Sequence, residues 1–305
     1  MARIERSPLV LVLALSLLLL VAHSSGAQED LTGGASREDI SGGAADDDER
    51  PSNPPVNRSS SSQSKQSKSK TSTKTTARVN VTEQVEDALQ EGNLARDAKN
   101  YAEAERKYQE AAKLNPKEAR AFEGVGNVYF DQRKFAEAAE QYGKAIALKP
   151  GDARLYLALG KSYNRMRQPA QAIEALQKAV QLKPDLAEAH FVIGRTYAVQ
   201  GELRKAADAY EAATRYRRDY VAAYNNLGLT YRRMRRLREA VEPLKQAISY
   251  DRNFARAYFN LALVYNALGE REAAQEQLKI LRTLDPDRAD RASNIMANRR
   301  GRGQQ

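Results

Sequence analysis

Residues 221–254 read VAAYNNLGLTYRRMRRLREAVEPLKQAISYDRNF, and the spacing of their apolar and small residues decides what this chain folds into. Tyr224, Leu227, Gly228 and Tyr231 recur at steps of three and four, and Ala240, Leu244 and Ala247 do the same further on. Each set falls on one side of a helix. Met234 and Leu237 flank an arginine-rich turn between the two sets, so the stretch predicts a pair of antiparallel helices. One such pair cannot cover its own apolar face.

Working outward, the same pattern returns at a fixed interval. Pro116, Pro150 and Pro184 are spaced by 34 residues, and the step continues through Arg218 and Arg252 to Pro286. A period of that size marks a stacked array. Frames of 85–118, 119–152, 153–186, 187–220, 221–254 and 255–288 align without an insertion. Their eighth places hold Gly92, Gly126, Gly160, Gly194, Gly228 and Ala262, small enough for a neighbouring helix to approach closely. The eleventh places hold Ala95, Tyr129, Tyr163, Tyr197, Tyr231 and Tyr265. At the twenty-fourth stand Tyr108, Tyr142, Leu176, Tyr210, Leu244 and Leu278.

With Tyr224, Leu227, Gly228 and Tyr231 followed by Ala240, Leu244 and Ala247, the frame resembles the tetratricopeptide repeat. The resemblance covers residues 85–288 and implies an all-α, right-handed solenoid of six helix-turn-helix repeats, with repeats occupying 81–288. Stability in such an array comes from stacking on neighbours, so the ends need sealing. Asn80 and Glu83, three apart, have the form of a capping box before the first helix. Residues 289–305 are expected to form a short capping helix carrying Ile295 and Met296, then a basic tail from Asn298.

Composition narrows the chemistry. The chain has no cysteine, which excludes disulfides, thiolate metal sites and cysteine nucleophiles. His23 and His190 are its two histidines. That leaves little for a histidine triad or a multi-histidine metal site. No metal, cofactor or catalytic residue is expected. Net charge is +10, of which +7 falls within residues 85–288.

Residues 1–27 read as a signal peptide. Arg3 and Arg6 precede the fourteen-residue apolar run LVLVLALSLLLLVA, too short for a roughly 30 Å hydrocarbon core. Cleavage after Ala27 is expected. An uncleaved anchor is the alternative, and either leaves the repeats outside the cytoplasm, periplasmic or secreted. Residues 28–80, with SSSSQSKQSKSKTSTKTT, are too polar to fold and read as a linker. Its acidic run, Asp46 to Glu49, is expected to reach the basic face of the array.

In solenoids of the kind this chain resembles, the second, fifth, ninth, twelfth and thirteenth places of each first helix line a concave groove for an extended peptide. The first two units offer a mixed surface there: Glu86, Asn93, Arg96 and Asp97, then Arg120, Glu123, Asn127 and Asp131. From the third unit the surface turns basic, with Arg154, Lys161, Arg165, Arg195, Arg232, Arg233 and Arg256, among which stand Phe191, Leu229 and Phe259. Asn226 and Asn260 share the sixth place, where side-chain amides at a repeating height could bond a peptide backbone, in the manner of the asparagine ladder of O-linked N-acetylglucosamine transferase. Arg235, Arg236 and Arg238 are expected in a solvated turn, and His190 in packing. The chaperone-adaptor clamp is not matched, because Leu89 and Glu123 hold the place of its lysine.

These readings converge on a non-catalytic scaffold that binds an acidic or carboxylate-terminated segment of a partner protein in the basic groove. The alternative is nucleic-acid or other polyanion binding through the arginines and the RRGRG tail, which would weaken steeply with salt.

Overall fold

The computed structural model describes residues 72–302, with side chains from 80 to 297, as thirteen α-helices; no strand occurs among these residues. The first hairpin joins α1 (Ser72–Asp97) to α2 (Tyr101–Leu114). It is followed by α3 (Ala119–Asp131) with α4 (Phe135–Leu148), and by α5 (Ala153–Arg165) with α6 (Pro169–Leu182). Next come α7 (Ala187–Gln200) with α8 (Leu203–Tyr216), and α9 (Val221–Arg233) with α10 (Leu237–Tyr250). The last hairpin is α11 (Ala255–Leu268) with α12 (Arg271–Leu284), and α13 (Pro286–Arg302) closes the C-terminal end. Each helix packs on its hairpin partner and on the next helix along, which makes an all-α solenoid. No helix among the described residues is long and apolar enough to cross a membrane.

One backbone device makes all six hairpin turns. The fifteenth place of every frame is left-handed: Lys99, Arg133, Arg167 and Arg235 have φ of 58°, 62°, 59° and 61°, and Gly201 and Gly269 have 82° and 84°. Two residues back-bond into the end of the first helix. In the second repeat Arg133 N–H donates to Phe130 O (2.9 Å) and Lys134 N–H to Tyr129 O (2.8 Å). This is the Schellman arrangement, which satisfies carbonyls that the helix end would otherwise leave open. The carbonyl of the eleventh-place residue is used the same way throughout, from Ala95 to Tyr265. Thus the tyrosine column supplies both a core side chain and a turn acceptor.

Packing within a hairpin sets the eighth place against the twenty-fourth. A Cβ built on Gly194 would lie 2.7 Å from the Tyr210 ring, and one on Gly228 2.5 Å from Leu244 Cγ. Helix pairs this close leave no room for a methyl, which is why glycine persists there at a cost in helix propensity. Tyr108, Tyr142, Tyr210, Leu176, Leu244 and Leu278 are all buried behind it. Tyr231 and Tyr265 are buried too, while Tyr129, Tyr163 and Tyr197 are half-buried.

The core is not continuous. One cluster runs from Leu157 in α5 to Met296 in α13, a second joins α1, α2 and α3, and a small junction of Ala119, Ala145 and Leu155 lies between them.

Both ends of the array differ from the sequence expectation. α1 begins at Ser72, inside the stretch assigned to the linker, because no proline or glycine stops the helix between Lys70 and Gly92 and each added residue gains a backbone bond once the nucleus exists. Asn80 and Glu83 therefore lie within α1 and do not cap it. At the other end α13 continues to Arg302, past the Asn298 boundary of the expected tail. Its Ala289, Ala292 and Met296 are buried and Ile295 packs against the same cluster. The signal segment, the rest of the linker and the acidic run Asp46–Glu49 lie outside the described residues.

Candidate peptide-binding groove

The first helices of the hairpins, α1 to α11 by odd numbers, present the groove places on a common side, and neighbouring repeats tie them together. At the N-terminal end these ties are ionic and internally complete. Arg96 Nε donates to Asp131 Oδ2 at 2.7 Å, and Arg120 meets Glu86 at 2.5 Å as well as Glu118 in its own repeat junction. Tyr108 Oη donates to Asn93 Oδ1 (2.7 Å) and Tyr142 Oη to Asn127 Oδ1 (2.8 Å). Asn127, expected to meet a ligand, thus has its carbonyl committed to a buried phenol.

In the middle, Lys161 pairs with Glu188 of the next repeat, and Asn164 exchanges hydrogen bonds with Thr196 (2.8 Å from its Nδ2). Arg154 is exposed and folds back on Asp152, whose carboxylate also accepts Arg154 N–H at 3.0 Å as a helix cap. Arg165 and Arg256 are half-buried.

The asparagine ladder does not form. Asn260 is buried and donates from Nδ2 to Asn225 Oδ1 at 2.9 Å, and Asn225 donates in turn to Asn226 Oδ1 at 3.2 Å. Because successive first helices approach closely, short amides at the fifth and sixth places reach one another before they reach solvent. Phe191 and Phe259 are likewise buried: the Phe191 ring lies 4.9 Å from that of Tyr220 and 5.8 Å from that of Tyr210. Both belong to the groove floor as packing, not to its polar wall. Leu229 is half-buried.

The arginine stretch 231–238 divides as the helix frame requires. Arg235, Arg236 and Arg238 are exposed. Arg235 is the left-handed turn residue, and Arg236 donates from Nε to Glu239 Oε1 (2.7 Å) with its guanidinium 4.7 Å above the Tyr231 ring. Arg232 and Arg233 are half-buried at the end of α9. Arg233 Nη1 donates to Ala198 O of the preceding repeat at 2.9 Å. His190 stacks on Tyr216 (centroids 5.3 Å) and its Nε2 lies 2.9 Å from Pro184 O, a packing role with Nε2 as donor.

Tyr210 is the hub that sequence reading missed. Burial pushes its phenol well above the ordinary value, and the groups that pull it back are Arg195, a hydrogen bond with Asn226, and Arg233. Burial also lowers the Arg233 guanidinium, opposed only by Tyr210. Among the described residues no carboxylate contributes to either group. The first two repeats show the reverse. Burial pushes Tyr108 up to about 12, with Arg96 opposing and Asp97, Asp131 and Glu123 adding to the rise. Tyr142 is raised by burial under the same Arg96, Asp131 and Glu123. A signal was present in the sequence: the ninth place reads asparagine opposite Tyr108 and Tyr142, but arginine opposite Tyr210.

The family profile described as "Tetratricopeptide repeat" matches residues 89–153, 157–221 and 192–244, about half of the chain. The chain belongs to the tetratricopeptide repeat family. Two further profiles, described as "TPR repeat" and "Tetratricopeptide repeat", match residues 236–269 and 255–287, which brings all six hairpins under tetratricopeptide descriptions. Among solved structures, this tetratricopeptide protein is similar to MamA at 31% identity, with a TM-score of 0.51 over 54% of this chain and 97% of that one. PilF of Pseudomonas aeruginosa superposes with a TM-score of 0.61 at 19% identity, over 68% of this chain and 94% of the other. PilW, titled a widely conserved type IV pilus biogenesis factor, gives 0.59 at 21%, over 66% and 94%. At those identities PilF and PilW testify to the fold. No curated protein matches the sequence.

Proposed function

We propose that this tetratricopeptide protein is a non-catalytic scaffold, exported from the cytoplasm, that binds an extended acidic or carboxylate-terminated segment of a partner protein in its groove. One observation carries the reading: Arg233, whose Nη1 donates to Ala198 O of the preceding repeat at 2.9 Å, lies half-buried beside the buried Tyr210, on whose phenol Arg195 from the neighbouring repeat also acts. Burial of the Arg233 guanidinium carries a desolvation cost, and an incoming carboxylate would offset that cost with charge-assisted bonds. Arg232 and Arg256 extend the positive surface, and exposed Val199 beside the Ala198 carbonyl offers apolar contact. The resemblance to peptide-holding solenoids supports the same face.

The test uses a labelled twelve-residue Gly/Ser peptide ending in three aspartates with a free carboxylate. Substituting Arg195→Glu, Arg232→Glu and Arg233→Glu together should weaken its binding by tenfold or more in fluorescence anisotropy, with retained helicity by circular dichroism. Unchanged binding would remove the proposal. An oligonucleotide of equal charge that bound more tightly, with a steep salt dependence, would favour the polyanion reading. The exported location rests on residues 1–27, and fusing them to a reporter should send it out of the cytoplasm; retention would refute it.

A further inference from the structure

Among the groove places of the described residues, one large apolar side chain stands in the open. Val199 holds the thirteenth place of the fourth repeat and is 69% exposed, where the other repeats carry Asp97, Asp131, Arg165, Arg233 and Ala267. Phe191 and Phe259 are buried and Leu229 is half-buried, so none presents a comparable surface. A β-branched residue in the last turn of α7 costs helix propensity and, standing in solvent, gains no packing in return. Arg233 supplies the second half of the site. Its Nη1 donates to Ala198 O at 2.9 Å, an oxygen that also accepts Gly201 N–H at 3.3 Å. That oxygen lies about 3–4 Å from the Val199 Cβ by standard backbone dimensions, which puts the bonded nitrogen within about 7 Å of it. The end of α7 favours a cation and holds this one in place. One of the guanidinium's five N–H donors is used on the carbonyl, and among the described residues no carboxylate pairs with Arg233. A cation and an apolar surface thus abut, each supplied by a different repeat.

We infer that Val199 and Arg233 form one subsite, and that the segment bound there carries an apolar side chain two residues from an acidic one. This rests on the acidic-peptide reading above and adds a sequence preference to it. Successive side chains of an extended strand point to opposite faces, while alternate ones share a face at about 6.6 Å. An acid on Arg233 and its second neighbour on Val199 therefore meet the array together. The immediate neighbour faces away. Charge draws acidic segments alike, so choice among them falls to the apolar half of the subsite.

The full chain is titrated, by fluorescence anisotropy, with labelled Gly/Ser peptides that carry aspartate at three alternate positions and blocked ends, so that a slip of two residues leaves the charged face unchanged. One has leucine two residues from the nearest aspartate, another has leucine one residue from it, and the third has serine for leucine. Both leucine peptides are also made with the leucine on the other side of the aspartates, because the groove admits either chain direction, and the tighter arrangement is used. Leucine at two residues should tighten binding about three- to eightfold over serine, the return on about 30–50 Å² of buried apolar surface, and leucine at one residue by less than about twofold. Val199→Ser should bring the leucine-to-serine ratio to about one, Val199→Leu should keep it, and Arg233→Gln should abolish the difference between the two spacings. Equal affinity of the leucine and serine peptides, the same gain at both spacings, or a gain that survives Val199→Ser would overturn the inference and leave acidic-peptide binding standing; so would a spacing difference that survives Arg233→Gln. If none of the aspartate peptides binds, the acidic-peptide reading falls with it.

Discussion

At the fifteenth place of each frame the backbone asks for a left-handed residue, and four of the six repeats answer with lysine or arginine. A side chain in that conformation costs about 1–2 kcal/mol, more than the roughly 0.5–1 kcal/mol of extra unfolded-state freedom that glycine brings. Arg235→Gly should therefore raise the unfolding free energy by about 0.5–1 kcal/mol in urea titration, and Gly269→Ala should lower it by a similar amount. The two changes also test whether the arginine there serves anything beyond the turn, since peptide binding should not respond to Arg235→Gly. Tyr142→Phe should cost about 1 kcal/mol, the net worth of its hydrogen bond plus the strain of leaving Asn127 without it. Asparagine and tyrosine separated by fifteen residues are visible in the sequence, but a groove position is assigned from the helix frame alone. The frame says which side a residue occupies and is silent on what its tip reaches. The frame therefore assigns Asn127 and Asn260 to the groove, where their amides brace Tyr142 and Asn225, and sets Arg235, Arg236 and Arg238 in the exposed turn they occupy.

Among the helices, those inside the array were legible because their stripes must mate with equivalent stripes on both sides. The eighth and twenty-fourth columns meet face to face, and this register sets glycine against tyrosine or leucine five times over. Terminal helices lack that constraint, so their limits depend on local bonds. α13 illustrates this: Asp285 precedes Pro286, accepts Arg288 N–H at 2.8 Å and takes Arg288 Nε at 2.8 Å. The Arg288 contacts hold the Asp285 carboxyl below its ordinary value. A carboxyl lowered by folding stabilises the fold above its unfolded value, near 3.8, and the contribution fades as pH falls through the folded value. Asp285→Ala should cost about 1 kcal/mol at neutral pH, the usual worth of such a cap, and the wild-type and variant curves should converge on acidification. Near-constant separation down to pH 2 would mean that Asp285 does not cap α13. Should Gly194 be changed to alanine, α7 and α8 must part to admit a Cβ at 2.7 Å from Tyr210, at a cost of about 1–3 kcal/mol.

For the whole molecule, the divided core predicts uneven opening. The cluster under α1, α2 and α3 is joined to the larger one through Ala119, Ala145 and Leu155, with Phe122 and Ile146 packed around them. In a one-dimensional array each interface contributes separately, so a thin junction is where cooperativity should yield first. Hydrogen exchange under native conditions should show amides of 85–131 opening at lower free energy than those of 187–281, and uniform protection across the array would contradict this. The same boundary separates the acidic part of the groove from the basic part. Neither feature could be read from a single frame, because both arise from differences between frames that share one core pattern.

The left-handed turn and the unvarying 34-residue step together make the solenoid a ruler. Excising residues 153–186 would leave α4 to meet α7 through equivalent surfaces and would bring the Arg195 end nearer Glu123 by one pitch. An extended segment laid along the first helices would then cover the array with about three residues fewer, so the reach of the protein is written in its number of repeats.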